Sequence, residues 1–588
     1  MNEHSLQQKE IIESKSKNIL VVACPGSGKT HTVVSRYIHL VTVEKVNPNS
    51  IILITFTNKA GIEMSQRIKN IIPDKMPYYV GSCHGLGYNM LKKFKPIEQN
   101  YTVMDRIDME KLLKEITQNM LEKTEDYTHS IIYKKIITIY DILYTNYPID
   151  LDITLAKLAI SDKYKKSIDK IIKKYNKEKE EQFLVDFNDL MYKLCIILEN
   201  KKTNKFLKGI QYIFFDEYQD INPIQHYILK MFKYSNKMVV GDDAQAIYSF
   251  RGSSIQYIWD FEKQFEDVKT YYLEMNYRST PEIVNLFQDS IKNNPNQFKK
   301  NVVSNSINNN KPKIICSINQ YNMVATNIHK YFTKGEKLCD MVVLARTNKS
   351  LDMIELELIK LGIPTIKSNG INLLNKDYIK DFIALLIIGV NNQATFYWKH
   401  VFNMHNIIQT DTIEYNILGI KNIIPILYNL LIDEPSINNI KQINNIKNYI
   451  LNFWNEKNVE KMNERIEDIN NIISYINEKT NTIPYEEFII SLYLDSNLEN
   501  KIIDILSLST IHSCKGLEWE RVYIIDYNGE SKFKNDIMEE RRLFYVACSR
   551  AKKHLIITSD NKSISPFIRE LNPLLYEGSP TTLKLLTL

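Results

Sequence analysis

The stretch NILVVACPGSGKTHTVVSRYI, residues Asn18–Ile38, decides the fold of this chain. It begins with an apolar run typical of a buried strand and ends with the pattern of a helix, and the glycine-rich loop ACPGSGKT lies between them. Glycines let backbone N–H groups turn toward a bound phosphate, and the amino end of the following helix favours an anion. The order strand, glycine-rich loop, helix therefore predicts a nucleoside-triphosphate site.

The residue types of this loop indicate which residues would contact the phosphates and Mg²⁺ at the predicted site. The loop opens with Ala23 where glycine is usual, and its Gly28-Lys29-Thr30 core is intact. Lys29 is expected to reach the β- and γ-phosphates, and the Thr30 hydroxyl is expected to hold Mg²⁺. The expected nucleotide contacts of the loop are Ala23, Cys24, Pro25, Gly26, Ser27, Gly28, Lys29 and Thr30.

Length and composition bound the remaining possibilities. At 588 residues the chain is too long for one hydrophobic core and predicts several domains. Its net charge of +6 permits a nucleic-acid partner without arguing for one. The seven cysteines form no C-x-x-C pair, so no zinc or iron–sulfur site is indicated, and free thiols suit an intracellular location in cytoplasm or nucleus. No apolar run is long enough for a membrane span.

Short apolar strands alternate with helical stretches, which favours parallel α/β sheets. Two segments interrupt this alternation, Leu91–Glu181 and Asn391–Asn500, and both are interpreted as helical insertions. The asparagine-rich segment Asn293–Lys313 is predicted to be an exposed connection. The predicted strands after the first are Ile51–Thr55, Tyr212–Phe215, Met238–Val240, Met341–Ala345, Ile505–Leu508, Val522–Ile525 and Leu555–Thr558.

The segment YIFFDEYQD, Tyr212–Asp220, is an apolar strand that ends in paired acids. At that position Asp216 can hold Mg²⁺ through the water shell of the metal. Glu217 can orient and deprotonate the water that attacks the γ-phosphate. A solvated strand end is the alternative for a bare Asp-Glu pair, and the phosphate-binding loop in the same chain favours the catalytic interpretation.

A further strand leads into VGDDAQAIYSFRG, Val240–Gly252. Gln245 could sense the γ-phosphate, because an amide both donates and accepts hydrogen bonds. Tyr248 and Phe250 could form a platform on which nucleic-acid bases stack. Taken alone, the two rings are better explained as part of a hydrophobic core.

The motifs of this chain resemble, in the same order, those of superfamily 1 DNA helicases of the UvrD/Rep/PcrA type. The resemblance spans nearly the whole sequence. Besides the segments already quoted, it rests on LQQKEII from Leu6, TFTNKAGIEMSQRI from Thr55, GSCHGLGYNML from Gly81, DFNDLM from Asp186, MNYRST from Met275, VVLARTNKSLDMIELELIKLGIP from Val342, LSTIHSCKGLEWERVYI from Leu508 and EERRLFYVACSRAKKHL from Glu539.

The resemblance implies how the base and the sugar of ATP are held. Gln8 lies where the family reads adenine, and Tyr277 would stack on the adenine ring. His31 lies where the family usually has an arginine on the other side of the ring, and a histidine carries charge only part of the time. Glu518 resembles a ribose contact.

The resemblance also implies two arginine fingers, Arg278 and Arg542, that approach the γ-phosphate from the second motor domain. Arg541 is adjacent to Arg542, so an exchange of their roles stays open. Taken outside this context, Arg541 would be interpreted as a solvated surface charge.

The implied single-strand contacts are Phe56, His84, Tyr248 and Phe250. Thr510, His512 and Lys515 lie where the family couples ATP to DNA. Taken alone, His84 would be a structural histidine and Lys515 a surface charge, and the shared order of the motifs favours the functional interpretation of both.

The implied fold is α/β, with two RecA-like parallel-sheet motor domains in tandem, each carrying a mainly helical inserted subdomain. We expect the first motor domain at residues 1–88 and 183–274 with an insertion at 89–182, and the second at 275–390 and 502–588 with a reduced accessory insertion at 391–501. MHNIIQTDTIEY from Met404 replaces the Gly-Ile-Gly loop of the family, and Leu373-Leu374 replaces an aromatic pair. We therefore expect a trimmed accessory domain with either a weakened grip on duplex DNA or altered autoregulation.

The implied activity is that of an ATP-dependent 3′-to-5′ DNA helicase or single-strand translocase in replication, repair or recombination. It would use ATP and Mg²⁺ and act on single-stranded DNA and single/double-strand junctions, as a monomer or weak dimer. Three alternatives stay open: a translocase that strips proteins from DNA with little unwinding, a nucleotide-switched binding protein without catalysis, and an RNA substrate.

Overall fold

The computed structural model describes most of the chain. The described residues are 4–94, 101–121, 129–307, 310–367, 376–390, 394–404, 440–454, 462–463, 465–466, 468–470, 472–473, 504–527, 537–560 and 564–578. Leu373-Leu374 and most of 391–501, including MHNIIQTDTIEY after its first residue, lie outside them. The expectations of an altered accessory insertion therefore stay predictions.

The strands are numbered in chain order. Within the described residues they are β1 Asn18–Ala23, β2 Ile51–Thr55, β3 Tyr79–Ser82, β4 Thr102–Val103, β5 Leu184–Val185, β6 Tyr212–Phe215, β7 Asn236–Gly241, β8 Val268–Leu273, β9 Met275–Asn276, β10 Val303–Ser304, β11 Lys313–Cys316, β12 Met341–Ala345, β13 Thr365–Lys367, β14 Leu506–Thr510, β15 Trp519–Ile525 and β16 Ala551–Ser559.

The α-helices are numbered in the same way. Within the described residues they are α1 Leu6–Ile12, α2 Lys29–Thr42, α3 Asn58–Ile71, α4 Cys83–Phe94, α5 Arg106–Leu121, α6 His129–Tyr144, α7 Leu151–Lys157, α8 Lys165–Glu181, α9 Phe187–Glu199, α10 Asn204–Gly209, α11 Pro223–Met231, α12 Gln256–Trp259, α13 Phe261–Gln264, α14 Pro281–Ile291, α15 Gln320–Thr333, α16 Asn348–Lys360, α17 Asp377–Val390, α18 Thr395–Met404, α19 Ile440–Phe453, α20 Ile537–Cys548 and α21 Pro566–Arg569.

The chain forms two compact units. The first contains residues 1–82, 204–370 and 500–588, and the second contains 83–203 and 371–499. Both large sheets belong to the first unit. The helices of the two segments predicted as insertions belong to the second unit.

The first sheet of the first unit has the strand order β3-β2-β6-β7-β1-β8, and its neighbouring strands are parallel. Every residue of β1 and β2 is buried, as expected for strands covered on both faces. Because the strands are parallel, the carboxyl ends of β1, β6 and β7 meet at one edge of the sheet. This edge brings together the glycine-rich loop, the acidic pair and the Asp242 loop.

The second sheet of the first unit has the order β11-β16-β15-β12-β14-β13 and is also parallel. The α/β fold class with two parallel-sheet cores is therefore confirmed. The predicted strands are present, and the one predicted at Ile505–Leu508 runs from Leu506 to Thr510.

The second unit is mainly helical in its described part. Its core contains large buried side chains such as Tyr140, Tyr175, Phe382 and Trp398. The strands β4 and β5 form a short parallel pair. In the part of the chain that the structure describes, no helix is long and apolar enough to cross a membrane.

Most described residues of Asn293–Lys313 are exposed or partly exposed, as predicted for a connection, but the segment also contains buried residues. Asn294 and Val302 are buried, and β10 pairs with β9. The Lys300 side chain is only 5% exposed, because its ammonium group meets the buried carboxylates of Asp242 and Asp243. Charge pairing thus explains why a lysine side chain in this polar segment is buried.

Candidate active site

The glycine-rich loop has the backbone geometry of an anion cradle. Gly26 and Gly28 have φ values of +66° and +79°, a region that glycine adopts without strain. Gly28 precedes the first residue of α2, and no side chain caps that helix end. No acidic residue lies in the first turn of α2. The helix therefore offers its free N–H groups and the positive end of its dipole to a phosphate.

Lys29 and Thr30, at the start of α2, face the acidic pair at the end of β6. Lys29 Nζ lies 3.2 Å from Glu217 Oε1, and the Thr30 hydroxyl donates to Asp216 Oδ2 at 3.0 Å. Although burial opposes it, the lysine charge lowers the pKa of Glu217 to about 2. Burial, reinforced by Glu217, raises the pKa of Asp216 to about 6. Glu217 is thus an ionised carboxylate paired with Lys29, and a bound phosphate could replace Glu217 as the partner of that lysine.

The donor set fits Mg²⁺. The hydroxyl of Thr30 and the carboxylate of Asp216 are adjacent hard oxygen ligands, which this ion takes together with water and phosphate oxygens. Among the described residues, no group of three or more histidine, cysteine or acidic side chains could hold a metal by itself. Water and the phosphate oxygens of a bound nucleotide would supply the other ligands of the ion.

The segment that follows β8 lies directly on the glycine-rich loop. Asn276 Nδ2 donates to the Pro25 carbonyl at 2.7 Å, and the Tyr277 N–H donates to the Gly26 carbonyl at 2.9 Å. Arg278 donates from Nε to Glu518 and from its Nη1 to the Ser549 carbonyl at 3.1 Å. Arg278 thus lies between the loop and residues at the ends of second-sheet strands.

The expected adenine contacts surround the loop entrance. Gln8 is buried and donates from Nε2 to the Ser27 carbonyl at 3.4 Å. Tyr277 is 47% exposed, so its ring is free to stack on a base. The His31 ring lies 5.1 Å from that of His4, and burial followed by His4 lowers the pKa of His31. His31 is therefore mainly neutral at neutral pH, and its stacking on adenine stays a prediction.

Of the three arginines in the block from Glu539, the two considered from the sequence contact groups other than the acidic pair. Arg541 donates to both oxygens of Glu570, at 3.0 and 2.8 Å, and Arg542 donates from Nε to the Ala246 carbonyl at 2.9 Å. Arg550 instead reaches Gln245 Oε1 at 3.3 Å. Its electrostatic neighbours include Arg278 and Glu217, and burial, followed by Arg278, lowers the pKa of Arg550 to about 10.

Lys515 connects this site to the aromatic residues. Its ammonium group contacts Asp220 and donates to the Gln245 carbonyl at 2.7 Å. The same group lies 5.0 Å from the centroid of the Tyr248 ring. Lys515 follows β14 of the second sheet, whereas Asp220 and Gln245 follow strands of the first. The expected coupling residue therefore joins the two sheets.

Four aromatic residues form what we term the stacking cluster: Phe56, Tyr248, Phe250 and His512. Phe56 and Tyr248 stack with ring centroids 5.3 Å apart, and Phe250 meets His512 edge-on at 5.4 Å. Phe250 is 63% exposed, so the interpretation of this ring as core does not hold. Burial, followed by Arg346, Arg251 and Lys515, lowers the pKa of His512 to about 4. Thr510, also expected here, contacts the Ser513 hydroxyl at 2.9 Å.

His84 belongs to the second unit, on α4. Its ring meets Phe187 edge-on at 5.8 Å, and burial lowers the pKa of His84 to about 4. The imidazole is therefore neutral at physiological pH and could contact DNA only as a hydrogen-bonding or stacking group.

Comparison with known families agrees with this geometry. Residues 4–266 match the UvrD/REP helicase N-terminal domain, and residues 271–562 match the UvrD-like helicase C-terminal domain. The chain belongs to the UvrD/Rep helicase family.

Relatives of this UvrD/Rep family member include curated bacterial proteins. The ATP-dependent DNA helicase PcrA of Staphylococcus aureus is 26% identical, over 95% of this chain and 83% of the relative. The protein of the same name from Staphylococcus epidermidis is 25% identical, over 94% and 83%. The solved C-terminal domain of a possible DNA helicase from Lactobacillus plantarum WCFS1 is 12% identical, over 51% of this chain and 96% of that one, with a TM-score of 0.23.

Sequence reasoning missed three residues of this UvrD/Rep site: Gln219, Lys300 and Arg550. Gln219 and Arg550 lie inside the motifs quoted above. The sequence signal that could have identified them is a polar residue close to the end of an apolar strand, where its side chain is buried beside the site. Lys300 lies in a segment taken for an exposed connection, and only its pairing partners reveal it.

Proposed function

We propose that this UvrD/Rep family member is an ATP-dependent DNA helicase that moves 3′ to 5′ along single-stranded DNA and acts in replication, repair or recombination. The observation that carries the proposal is the position of Lys515. One ammonium group contacts the acidic segment and the Gln245 loop and lies against the Tyr248 ring. Binding or loss of the γ-phosphate could thus shift Lys515 and, through it, the aromatic residues proposed to hold a DNA strand.

ATP binding would begin by displacing an internal ion pair. The phosphates take Lys29 from Glu217, which leaves that carboxylate free to accept a proton from water. Thr30 and Asp216 would hold Mg²⁺, which neutralises charge on the phosphates when it is bound. Gln8 and Tyr277 would hold the adenine.

Hydrolysis requires positive charge at the γ-phosphate as the bond to it breaks. We infer that Arg278 and Arg550 supply that charge, because Arg278 lies against Gly26 of the glycine-rich loop, and Arg550 contacts Gln245 and has Glu217 among its electrostatic neighbours. Arg542 would serve by holding the Ala246 carbonyl, and so the loop that carries Gln245.

Movement would follow from closing and opening of the site between the two sheets. ATP contacts residues of both, so its binding favours the closed arrangement and its hydrolysis releases it. Bases stacked on Phe250 and its neighbours would shift with each cycle. The printed activity of the PcrA relatives supports DNA as the strand, and family membership supports the 3′-to-5′ direction. We further propose an intracellular monomer or weak dimer that acts at single/double-strand junctions.

Strand displacement tests this proposal. Duplexes with a 3′ tail, a 5′ tail or no tail are incubated with ATP and Mg²⁺, alongside an RNA-tailed set. We expect displacement from the 3′-tailed DNA only, and none with Glu217→Gln. Preference for the 5′ tail would contradict the direction, and equal use of RNA tails would contradict the assignment to DNA. Translocation along single-stranded DNA without displacement would contradict the helicase activity.

A further inference from the structure

A buried lysine outside the quoted motifs, Lys300, lies beside the Asp242 loop, which follows β7 and carries Gln245. The Lys300 ammonium group contacts Asp242 and lies 2.9 Å from Asp243 Oδ1 and 3.4 Å from the Ala23 carbonyl. Both carboxylate side chains are fully buried. Ala23 ends β1 and Asp242 follows β7, so the lysine joins two neighbouring strand ends at the edge that carries the site.

Asp242 also forms hydrogen bonds with other residues of the loop that follows β7 and with Gln219. Its Oδ2 accepts from Gln245 Nε2 at 2.7 Å, and its Oδ1 accepts from the Ala244 N–H at 3.1 Å. Its own N–H donates to Gln219 Oε1 at 3.0 Å. The side chain of Gln245 is therefore oriented by a carboxylate that Lys300 holds.

Gln219 extends the connection to the catalytic carboxylate. Its Nε2 donates to Glu217 Oε2 at 2.6 Å, and it is fully buried. A Cβ built on Gly241 would lie 2.6 Å from Gln219 Oε1, so the glycine makes room for this amide. Lys300, Asp242, Gln219 and Glu217 thus form a continuous chain of contacts.

Lys300 comes from a different part of the chain than the groups it holds. It follows α14, and its neighbour Phe298 donates its N–H to Asp243 Oδ2 at 2.7 Å. Without the lysine, two carboxylates would be buried together without a cation, and such a pair repels strongly in a low-dielectric interior. Asp242 would then turn or take up a proton, and in either case Gln245 would lose its fixed orientation.

We propose that Lys300 is a positioning residue for ATP hydrolysis, which holds Asp242 so that Gln245 and, through Gln219, Glu217 are oriented toward the γ-phosphate. The proposal rests on the function proposed above and adds a residue to its hydrolytic step. The lysine touches neither the nucleotide nor the attacking water.

Three variants separate positioning from charge balance: Lys300→Met, Asp243→Asn and the double variant Lys300→Met/Asp243→Asn. The double variant removes one charge of each sign, so the buried cluster keeps its net charge and the protein should melt close to wild type. Lys299→Met is the matched control, because Lys299 is an exposed neighbour of the same type. The measurements are the melting temperature and kcat and KM for ATP, each with and without single-stranded DNA.

We expect the double variant to lose about 10- to 100-fold in kcat while KM stays within about twofold, because misplaced catalytic groups slow the chemical step. Lys299→Met should match wild type in all three quantities. Wild-type kcat in the double variant would overturn the proposal, since Lys300 would then only balance charge. A proportional loss of kcat, ATP binding and melting temperature would also overturn it. If single-stranded DNA does not raise ATP turnover by the wild-type protein, the proposed motor function is contradicted. The proposal for Lys300 is tested separately, by the kcat of the variants without DNA.

Discussion

Gly26 of the phosphate-binding loop lies against Arg278 so closely that a Cβ built on Gly26 would be 2.6 Å from Arg278 Cβ. The Tyr277 N–H donates to the Gly26 carbonyl, so the contact is fixed by the backbone as well. The loop proposed to bind the triphosphate is therefore in direct contact with Arg278, the arginine proposed to act on the γ-phosphate. A displacement of either moves the other.

Gly26→Ala should separate these two partners. The added methyl group meets Arg278, and a φ of +66° strains any residue other than glycine. Gly362→Ala is the matched control, because Gly362 has a φ of +68° and no other atom within 4 Å of the added Cβ. We expect Gly26→Ala to reduce kcat/KM for ATP at least about tenfold more than Gly362→Ala does. Equal losses in steady-state ATPase assays would show that strain alone acts at both positions.

Arg550 and Arg542 should differ in their effect on hydrolysis. An arginine finger contributes about 10³- to 10⁵-fold to kcat. We therefore expect a loss of about that size in Arg550→Lys, whereas Arg542→Lys should lose much less, because Arg542 holds a backbone carbonyl. Single-turnover hydrolysis at saturating ATP measures both. The larger loss in Arg542→Lys would restore the assignment made from the sequence.

Phe250→Ala should weaken single-strand binding without changing its salt dependence. The ring is 63% exposed and belongs to the stacking cluster, and a base stacked on an aromatic ring gains about 1–3 kcal/mol. The slope of affinity against salt reports phosphate contacts, which the variant retains. Fluorescence anisotropy with an oligonucleotide at several salt concentrations measures both quantities. Tyr234→Ala removes a similarly exposed ring outside the cluster, and an equal loss of affinity there would contradict the prediction.

His512 should make the fold less stable as the pH falls. Burial lowers its pKa in the folded protein to about 4, from an ordinary value of 6.5. Between these two values the unfolded chain takes up a proton that the folded chain does not, so the free energy of unfolding decreases with falling pH. His512→Phe should lessen that decrease. Melting temperatures between pH 7.5 and 4.5 measure it, and parallel curves for the two proteins would contradict the assignment.

The sequence predicted those parts of the protein that follow from local pattern. Buried parallel strands have continuous apolar runs. A glycine-rich loop at Gly28 after one such strand, combined with the acidic pair at Asp216 after another, favours phosphate and metal binding. The fold class and the positions of the motif strands could therefore be predicted without coordinates.

Contacts between distant segments could not be predicted in this way. The partner of Arg542 is a carbonyl 296 residues away, and that of Arg550 is an amide 305 residues away. Nothing in the local pattern distinguishes these two buried arginines. Lys300 lies in a polar, asparagine-rich segment, and its burial is caused by Asp242 and Asp243, far from it in the chain.

The central claim is that a DNA strand on the stacking cluster and ATP on the phosphate-binding loop are energetically coupled through Lys515. The most direct test is ATP turnover by the purified wild-type protein with and without single-stranded DNA, with Glu217→Gln as the inactive control. We expect single-stranded DNA to raise kcat, and to change the equilibrium affinity for ATP by about 5- to 150-fold, the usual range of coupling between two binding sites. Turnover that is the same with and without single-stranded DNA would contradict the account.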